Sequence, residues 1–241
     1  MTNSHTRTRC WAVVPAAGSG SRMQAALAKQ YLKIDDQSIV EITLNKLLRL
    51  NFISGIVVCI ARDDEHFAGL AVAKHPRIFT AEGGSERADS VLKGLQYLKA
   101  LPEASDSDWV MVHDAARPCV SLTAIERLYN FCRTAGHGAI LAAPVADTLK
   151  RADQQGRLAQ TVSRENLWHA HTPQCFPLGQ LSAALVQSLQ NSLVVTDEAS
   201  ALEQVGAQIG LVEDTRDNIK ITRPEDLALA SFILGQKALD W

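Results

Sequence analysis

No apolar run in this chain of 241 residues approaches the ~20 that cross a bilayer as a helix. The polar start, Met1 to Arg9, has no apolar stretch behind it, so it does not read as a signal peptide. Cysteine is scarce: Cys10, Cys59, Cys119, Cys132 and Cys175 stand far apart with no C-x-x-C pair, which excludes a disulfide framework and a zinc ribbon. These features together predict a soluble cytoplasmic protein. There is no surplus of positive charge, since the formal net charge is -2, and a general nucleic-acid binder needs such a surplus to displace counterions. Any phosphate must therefore be held by local cations. Repeats, low-complexity tracts and interdomain linkers are also missing, which predicts one domain over residues 1–241. Neither G-x-S-x-G nor H-E-x-x-H occurs, and His169-x-His171 has no third ligand nearby in sequence.

What is present is an ordinary globular composition, 46% hydrophobic and 21% charged, in a chain long enough for a substantial core. Short apolar runs at Trp11 to Val14, Gly55 to Ile60, Trp109 to His113 and Ala139 to Ala143 read as buried strands. Helical patterns fall between and after them: Val40 to Leu50, Glu86 to Leu101, Thr123 to Thr134, Leu178 to Leu189 and Asp197 to Val205. Ser85 offers an N-cap for the second, Thr123-x-x-Glu126 a capping box for the third, and Thr222-Arg223-Pro224-Glu225 the start of a last helix. The alternation predicts an α/β fold: a Rossmann-like, mostly parallel sheet with helices on both faces and ligands beyond the carboxyl ends of its strands. Between Pro144 and Asn166 the pattern breaks into a polar hairpin around Asp153-Gln154-Gln155-Gly156, after which Leu167 to Ala170 can rejoin the sheet. Such a hairpin cannot stand alone in water and is read as an arm for dimerisation, with a solvated excursion loop as the alternative.

The first strand empties into Pro15-Ala16-Ala17-Gly18-Ser19-Gly20-Ser21-Arg22, with Lys29 following. Small residues let backbone N–H groups approach an anion, and the two cations complete a cradle for a polyphosphate. It is not a Walker loop, because no Lys-Ser or Lys-Thr pair closes it. It is not a dinucleotide fingerprint either, since Met23 stands where the third glycine belongs.

Asp114 and Arg117, in His113-Asp114-Ala115-Ala116-Arg117-Pro118, fall where a second strand ends. There an acid can hold Mg²⁺ or a ribose hydroxyl and an arginine can meet phosphate; a structural turn pair is the alternative. Gly83-Gly84-Ser85-Glu86-Arg87-Ala88-Asp89-Ser90 is another strand-to-helix junction, suited to reading a base edge through Gly84 and Ser90 or only to capping a helix. Lys220 alternates with Ile219 and Ile221, so on a strand it would face away from them into a cleft, or onto the open surface. Cations, a strand-end carboxylate and no nucleophile motif suggest nucleotidyl or phosphoryl transfer, or else a nucleotide sensor without chemistry.

Five motifs in order, Pro15-Ala16-Ala17-Gly18-x-Gly20-x-Arg22-Met23 with Lys29-Gln30-Tyr31, Glu86-Arg87-x-x-Ser90-Val91, His113 to Pro118, Thr196-Asp197-Glu198-Ala199 and Asn218-Ile219-Lys220-x-Thr222, resemble the 2-C-methyl-D-erythritol 4-phosphate cytidylyltransferase family. The resemblance implies transfer of the cytidylyl group of CTP to methylerythritol phosphate, with Mg²⁺, in a homodimer held partly by the hairpin. It places Arg22 and Lys29 on the triphosphate, with Pro15, Ala16, Ala17, Gly18, Gly20, Gly84, Ser85, Ser90 and Ala115 around CTP. Asp114 falls near ribose and metal, and Thr148, Arg164, Thr172, Thr196 and Lys220 on the acceptor, Thr148 and Arg164 coming from the neighbouring subunit. Arg164 and Lys220 also count among the catalytic set. Ala28 stands where the family usually has proline, and Ser85 where aspartate is common.

Overall fold

The computed structural model describes residues 8–18 and 27–236. In chain order the elements are β1 (Cys10–Pro15), β2 (Lys33–Ile34), β3 (Gln37–Ser38), α1 (Ile39–Leu48), β4 (Ile53–Ile60), β5 (Ile78–Glu82), α2 (Arg87–Lys99) and β6 (Trp109–Val112). There follow α3 (Leu122–Ala135), β7 (Ala139–Pro144), β8 (Leu149–Ala152), β9 (Leu158–Val162), β10 (Trp168–Pro177), α4 (Leu178–Gln190), α5 (Glu198–Glu203), β11 (Gly210–Glu213) and α6 (Pro224–Gln236).

Seven strands form one sheet in the order β11-β7-β10-β6-β1-β4-β5. The pairs β1/β4, β1/β6, β4/β5 and β7/β11 are parallel, while β10 runs antiparallel to both β6 and β7. Successive side chains of β1 divide the core. Cys10, Ala12 and Val14 face the layer that includes Val40, Leu44 and Leu47 of α1 and Ile125 and Leu128 of α3. Trp11 and Val13 face Val91, Leu95 and Leu98 of α2 and Leu181 and Leu185 of α4. A strand apolar on both faces needs a helical layer on each, which is the expected doubly covered sheet. The α6 residues Ala230 and Ile233 close a third cluster with Ile34, Ile39 and Ile221.

The helix caps differ in frame from the sequence reading. Ser121, not Thr123, caps α3, its hydroxyl accepting from Ala124 N–H at 3.2 Å. At α2 the cap position is Glu86, and Ser85 Oγ instead donates to Asp89. At α6 the carboxylate reaching back is Asp226, which accepts from the Thr222 and Arg223 N–H groups, rather than Glu225. In each case a polar neighbour one or two positions away offers the same hydrogen bond, so sequence alone leaves the frame open.

Strands β8 and β9 pair only with each other, as an exposed two-stranded ribbon. Its turn is closed by Asp153, which accepts from the Gln155 and Arg157 N–H groups, and Gly156 sits at φ 77°, where L side chains are strained. The hairpin arm thus exists where the sequence places it.

Candidate functional site

The carboxyl ends of β1, β5 and β6 meet the loop before α6 around a cavity of about 390 Å³. Eleven of the sequence-predicted positions line it: Pro15, Ala16, Ala17, Gly18, Lys29, Gly84, Ser85, Ser90, Asp114, Ala115 and Lys220. Arg22 and Gly20 lie outside the described residues.

Each wall has a local cause. Past β1 the Ala16 N–H donates to Cys59 O, extending the β1/β4 ladder to the cavity floor. The Ala16 carbonyl accepts from the buried Gln30 side chain at 2.7 Å, and this fastens the two ends of the glycine loop and sets Lys29 at the rim. Tyr31, next in line, is anchored through its hydroxyl on Asp64 at 2.5 Å. Opposite, a Cβ on Gly83 would stand 2.4 Å from Ala17 Cβ, so only glycine lets the second loop approach the first. Ser90 is buried; its hydroxyl accepts from Gly84 N–H at 2.9 Å and donates to Glu86 O, so it shapes the Gly84 turn.

Asp114 is the electrostatic centre. Its Oδ1 accepts from Arg87 Nε at 2.8 Å, its Oδ2 lies 2.7 Å from Lys220 Nζ, and Arg117 Nε stands 3.8 Å away. Burial opposes its charge, but Arg87 and Lys220 outweigh that penalty and hold the carboxyl well below the usual carboxylate range. Arg87 in turn grips Glu198, 1% exposed, through both guanidinium ends at 2.7 and 3.1 Å. Burial works against the charge of Arg87 too, yet Glu198 and Asp114 hold its proton more firmly than in water.

Lys220 is not on a strand, contrary to expectation, but in an irregular segment before α6. Its alternation holds nonetheless: Ile221 is buried and its N–H donates to Ala116 O, while Lys220 turns into the cavity. The segment is held by Asn218, whose amide donates to Thr172 O and to Asp214, and by Arg117, which donates to Asn218 O.

The residues that the resemblance places on the acceptor are more dispersed. Thr172 is buried behind the cavity, its hydroxyl accepting from Asp114 N–H and bonding His113 Nδ1, each at 3.0 Å. Thr148 and Arg164 sit exposed at the base of the arm, and Thr196 exposed before α5; none of the three lines the cavity within one chain. Sequence reasoning quoted Arg87 and Glu198 without a role, because their pairing spans 111 positions. His169 is exposed while His171 is buried against Asp214 at 3.0 Å, and among the described residues no three His, Cys, Asp or Glu side chains group as a metal site.

The family model for 2-C-methyl-D-erythritol 4-phosphate cytidylyltransferase matches residues 10–236. The chain is 53% identical over 229 residues to the enzyme of that name from Tolumonas auensis, covering 95% of this chain and 98% of the relative. It is 51% identical over 227 residues to that of Vibrio parahaemolyticus, covering 94% and 95%. Among solved structures, the Francisella tularensis enzyme superposes with a TM-score of 0.81 at 36% identity, covering 94% of this chain and 100% of that one. The Thermus thermophilus enzyme superposes at 0.76 and 27% identity, covering 93% and 98%. The glycine-loop cavity with its buried Asp114 therefore sits in a member of a known group: the chain belongs to the 2-C-methyl-D-erythritol 4-phosphate cytidylyltransferase family.

Proposed function

We propose that this cavity performs the family's reaction by positioning and charge neutralisation alone, with each role assigned to a residue described above. The reaction is transfer of the cytidylyl group of CTP to 2-C-methyl-D-erythritol 4-phosphate, giving 4-diphosphocytidyl-2-C-methyl-D-erythritol and pyrophosphate in the non-mevalonate route to isoprenoids. The observation that carries the assignment is the convergence of Lys29, Gly84, Ser85, Asp114 and Lys220, from separate stretches of chain, on one cavity at the strand ends.

In this reading a phosphate oxygen of methylerythritol phosphate attacks the α-phosphorus of CTP in line with the leaving pyrophosphate. Lys29, with Arg22, meets the charge that grows on the α-phosphate and the leaving group. No general base is required, because the attacking phosphate is already anionic at neutral pH. Ala16, Ala17, Gly84 and Ser85 surround cytosine, largely through backbone groups, which accommodates serine at 85; Ser90 acts by setting the Gly84 turn. Lys220 and Thr196 hold the acceptor phosphate, joined by Thr148 and Arg164 from a partner's arm in a homodimer, while Thr172 keeps Asp114 in place from behind.

The residues fit a Mg²⁺ ion carried mainly by the triphosphate. Asp114 spends one strong hydrogen bond at each oxygen and retains a further lone pair on each, and one carboxylate plus phosphate oxygens is an ordinary Mg²⁺ environment. Bound there, the ion supplies neutralisation of the triphosphate charge.

Pyrophosphate release from CTP tests the reading when measured with methylerythritol phosphate, with other sugar phosphates and with no acceptor. Release with methylerythritol phosphate alone supports it. Equal release with an unrelated sugar phosphate, or CTP binding without release, would overturn the acceptor assignment or the enzymatic role respectively.

A further inference from the structure

The pair formed by Arg87 at the start of α2 and Glu198 at the start of α5 is a charged contact at the cavity that the mechanism above leaves unused. Glu198 is 1% exposed, and it cannot drift: Asp197 beside it accepts from Ser200 N–H and from Gln174, and Gln174 accepts from Ala199 N–H. The carboxylate is thereby a fixed anvil on which the two terminal nitrogens of Arg87 are clamped. The remaining Nε–H of the same guanidinium holds Oδ1 of Asp114, whose Oδ2 faces Lys220.

We propose that Arg87 is a positioning residue for the acceptor phosphate: clamped by Glu198, it holds Asp114 and shares its charge, so that Lys220 is aimed into the cavity yet free to move onto phosphate. The inference rests on the assignment of Lys220 to that phosphate. Two cations compete for one carboxylate here. With Arg87 in place part of the Asp114 charge is already answered, and the ammonium of Lys220 gives up less on leaving it. Without Arg87, Asp114 retains Lys220 more tightly, while Thr172 still holds the Asp114 backbone in place. A lysine at 87 cannot replace the arginine, because one ammonium on a flexible stem does not serve two carboxylates in a fixed fork geometry. Glu198 lies two positions after Thr196, so the same clamp fastens the start of α5 to the start of α2.

The test is steady-state kinetics in both substrates for Arg87→Lys, the paired Arg87→Gln/Glu198→Gln and Lys220→Ala. The paired variant removes one charge of each sign, keeps both positions polar and leaves no buried ion alone, and thermal unfolding verifies that it is folded. The expected result is a KM for methylerythritol phosphate raised about 10-fold or more in the paired variant and in Arg87→Lys, the scale of losing one hydrogen bond to a charged group. The KM for CTP is expected to stay within about twofold, a shift far below that scale. If Arg87 only balances charge or props the fold, the paired variant or Arg87→Lys recovers native constants, or both KM values rise together; either result overturns the proposal. If Lys220→Ala raises the acceptor KM and the Arg87 variants do not, the positioning role alone fails. If Lys220→Ala leaves that KM unchanged, the assignment of Lys220 fails and the proposal with it.

Discussion

Lys220 Nζ and Asp114 Oδ2 stand 2.7 Å apart, joining the irregular segment before α6 to the end of β6. The contact brings the chain's last polar stretch to the sheet edge that the first glycine loop already occupies. Neither side chain reaches that point by its own element: Asp114 is seated by Thr172 and Arg87, and Lys220 by Asn218 and Ile221.

A pH dependence of stability follows from His113, which is buried between Thr172 and the Arg117 carbonyl. Burial pushes its pKa down to about 4, against the opposing pull of Asp114. A group depressed in the native state binds its proton first in the unfolded chain, so its contribution is complete above the unfolded value near ~6.5 and is lost as pH falls toward the native one. Denaturant unfolding between pH 7 and 4 is expected to show about 3 kcal/mol lost from this source, steepest below pH ~6.5. Asp114 shares that sign, being held low, and its contribution fades only below the ordinary carboxylate range. A flat stability profile from pH 7 to 5 would mean that His113 is not held neutral by the fold.

Gly94 lies where α2 crosses the sheet, and a Cβ there would sit 2.6 Å from Val13 and 2.8 Å from Cys59. Both neighbours are fully buried, so neither can yield. Gly94→Ala is expected to destabilise the protein by roughly 1–3 kcal/mol, the cost of overpacking outweighing the helix preference for alanine. Chemical denaturation would check this; an unchanged or raised midpoint would contradict the packing of α2 on β1 and β4.

Much of this architecture is legible in the sequence because burial writes itself into composition. Trp11 to Val14 and Ala139 to Ala143 are apolar on both faces, as strands between two helical layers must be. The glycine loop, Asp114 and Lys220 are legible only as an ordered set of motifs, since each alone also fits a turn, a structural pair or an exposed lysine. What escapes is what depends on distant partners. The antiparallel setting of β10, the exact frames of the caps and the short, half-exposed β11 carry no local signal. The Arg87–Glu198 clamp joins helix starts far apart in sequence, and Thr172, named for the substrate, has its hydroxyl turned to Asp114 and His113 instead.

Arm exchange in the proposed homodimer makes a stoichiometric prediction. In a mixed dimer of Arg164→Ala and Lys220→Ala chains, exchange puts both lesions in one site and leaves the other intact. At acceptor concentrations where each variant alone turns over negligibly, an equimolar, randomly assorted mixture should then recover about a quarter of native activity, since half the dimers are mixed and each has one good site. Recovery is read as pyrophosphate release after remixing from denaturant; no gain over the separate variants would place Arg164 and Lys220 in the same chain's site or Arg164 outside it.

The proposed chemistry turns on Lys29, which at this cavity stabilises charge at the α-phosphorus of CTP during transfer. Single-turnover pyrophosphate release by Lys29→Ala, beside direct CTP binding, tests it most directly. The expected rate is lowered by ~10²- to 10³-fold, with a much smaller change in CTP affinity. A near-native rate, or a loss that lies wholly in CTP affinity, would contradict it.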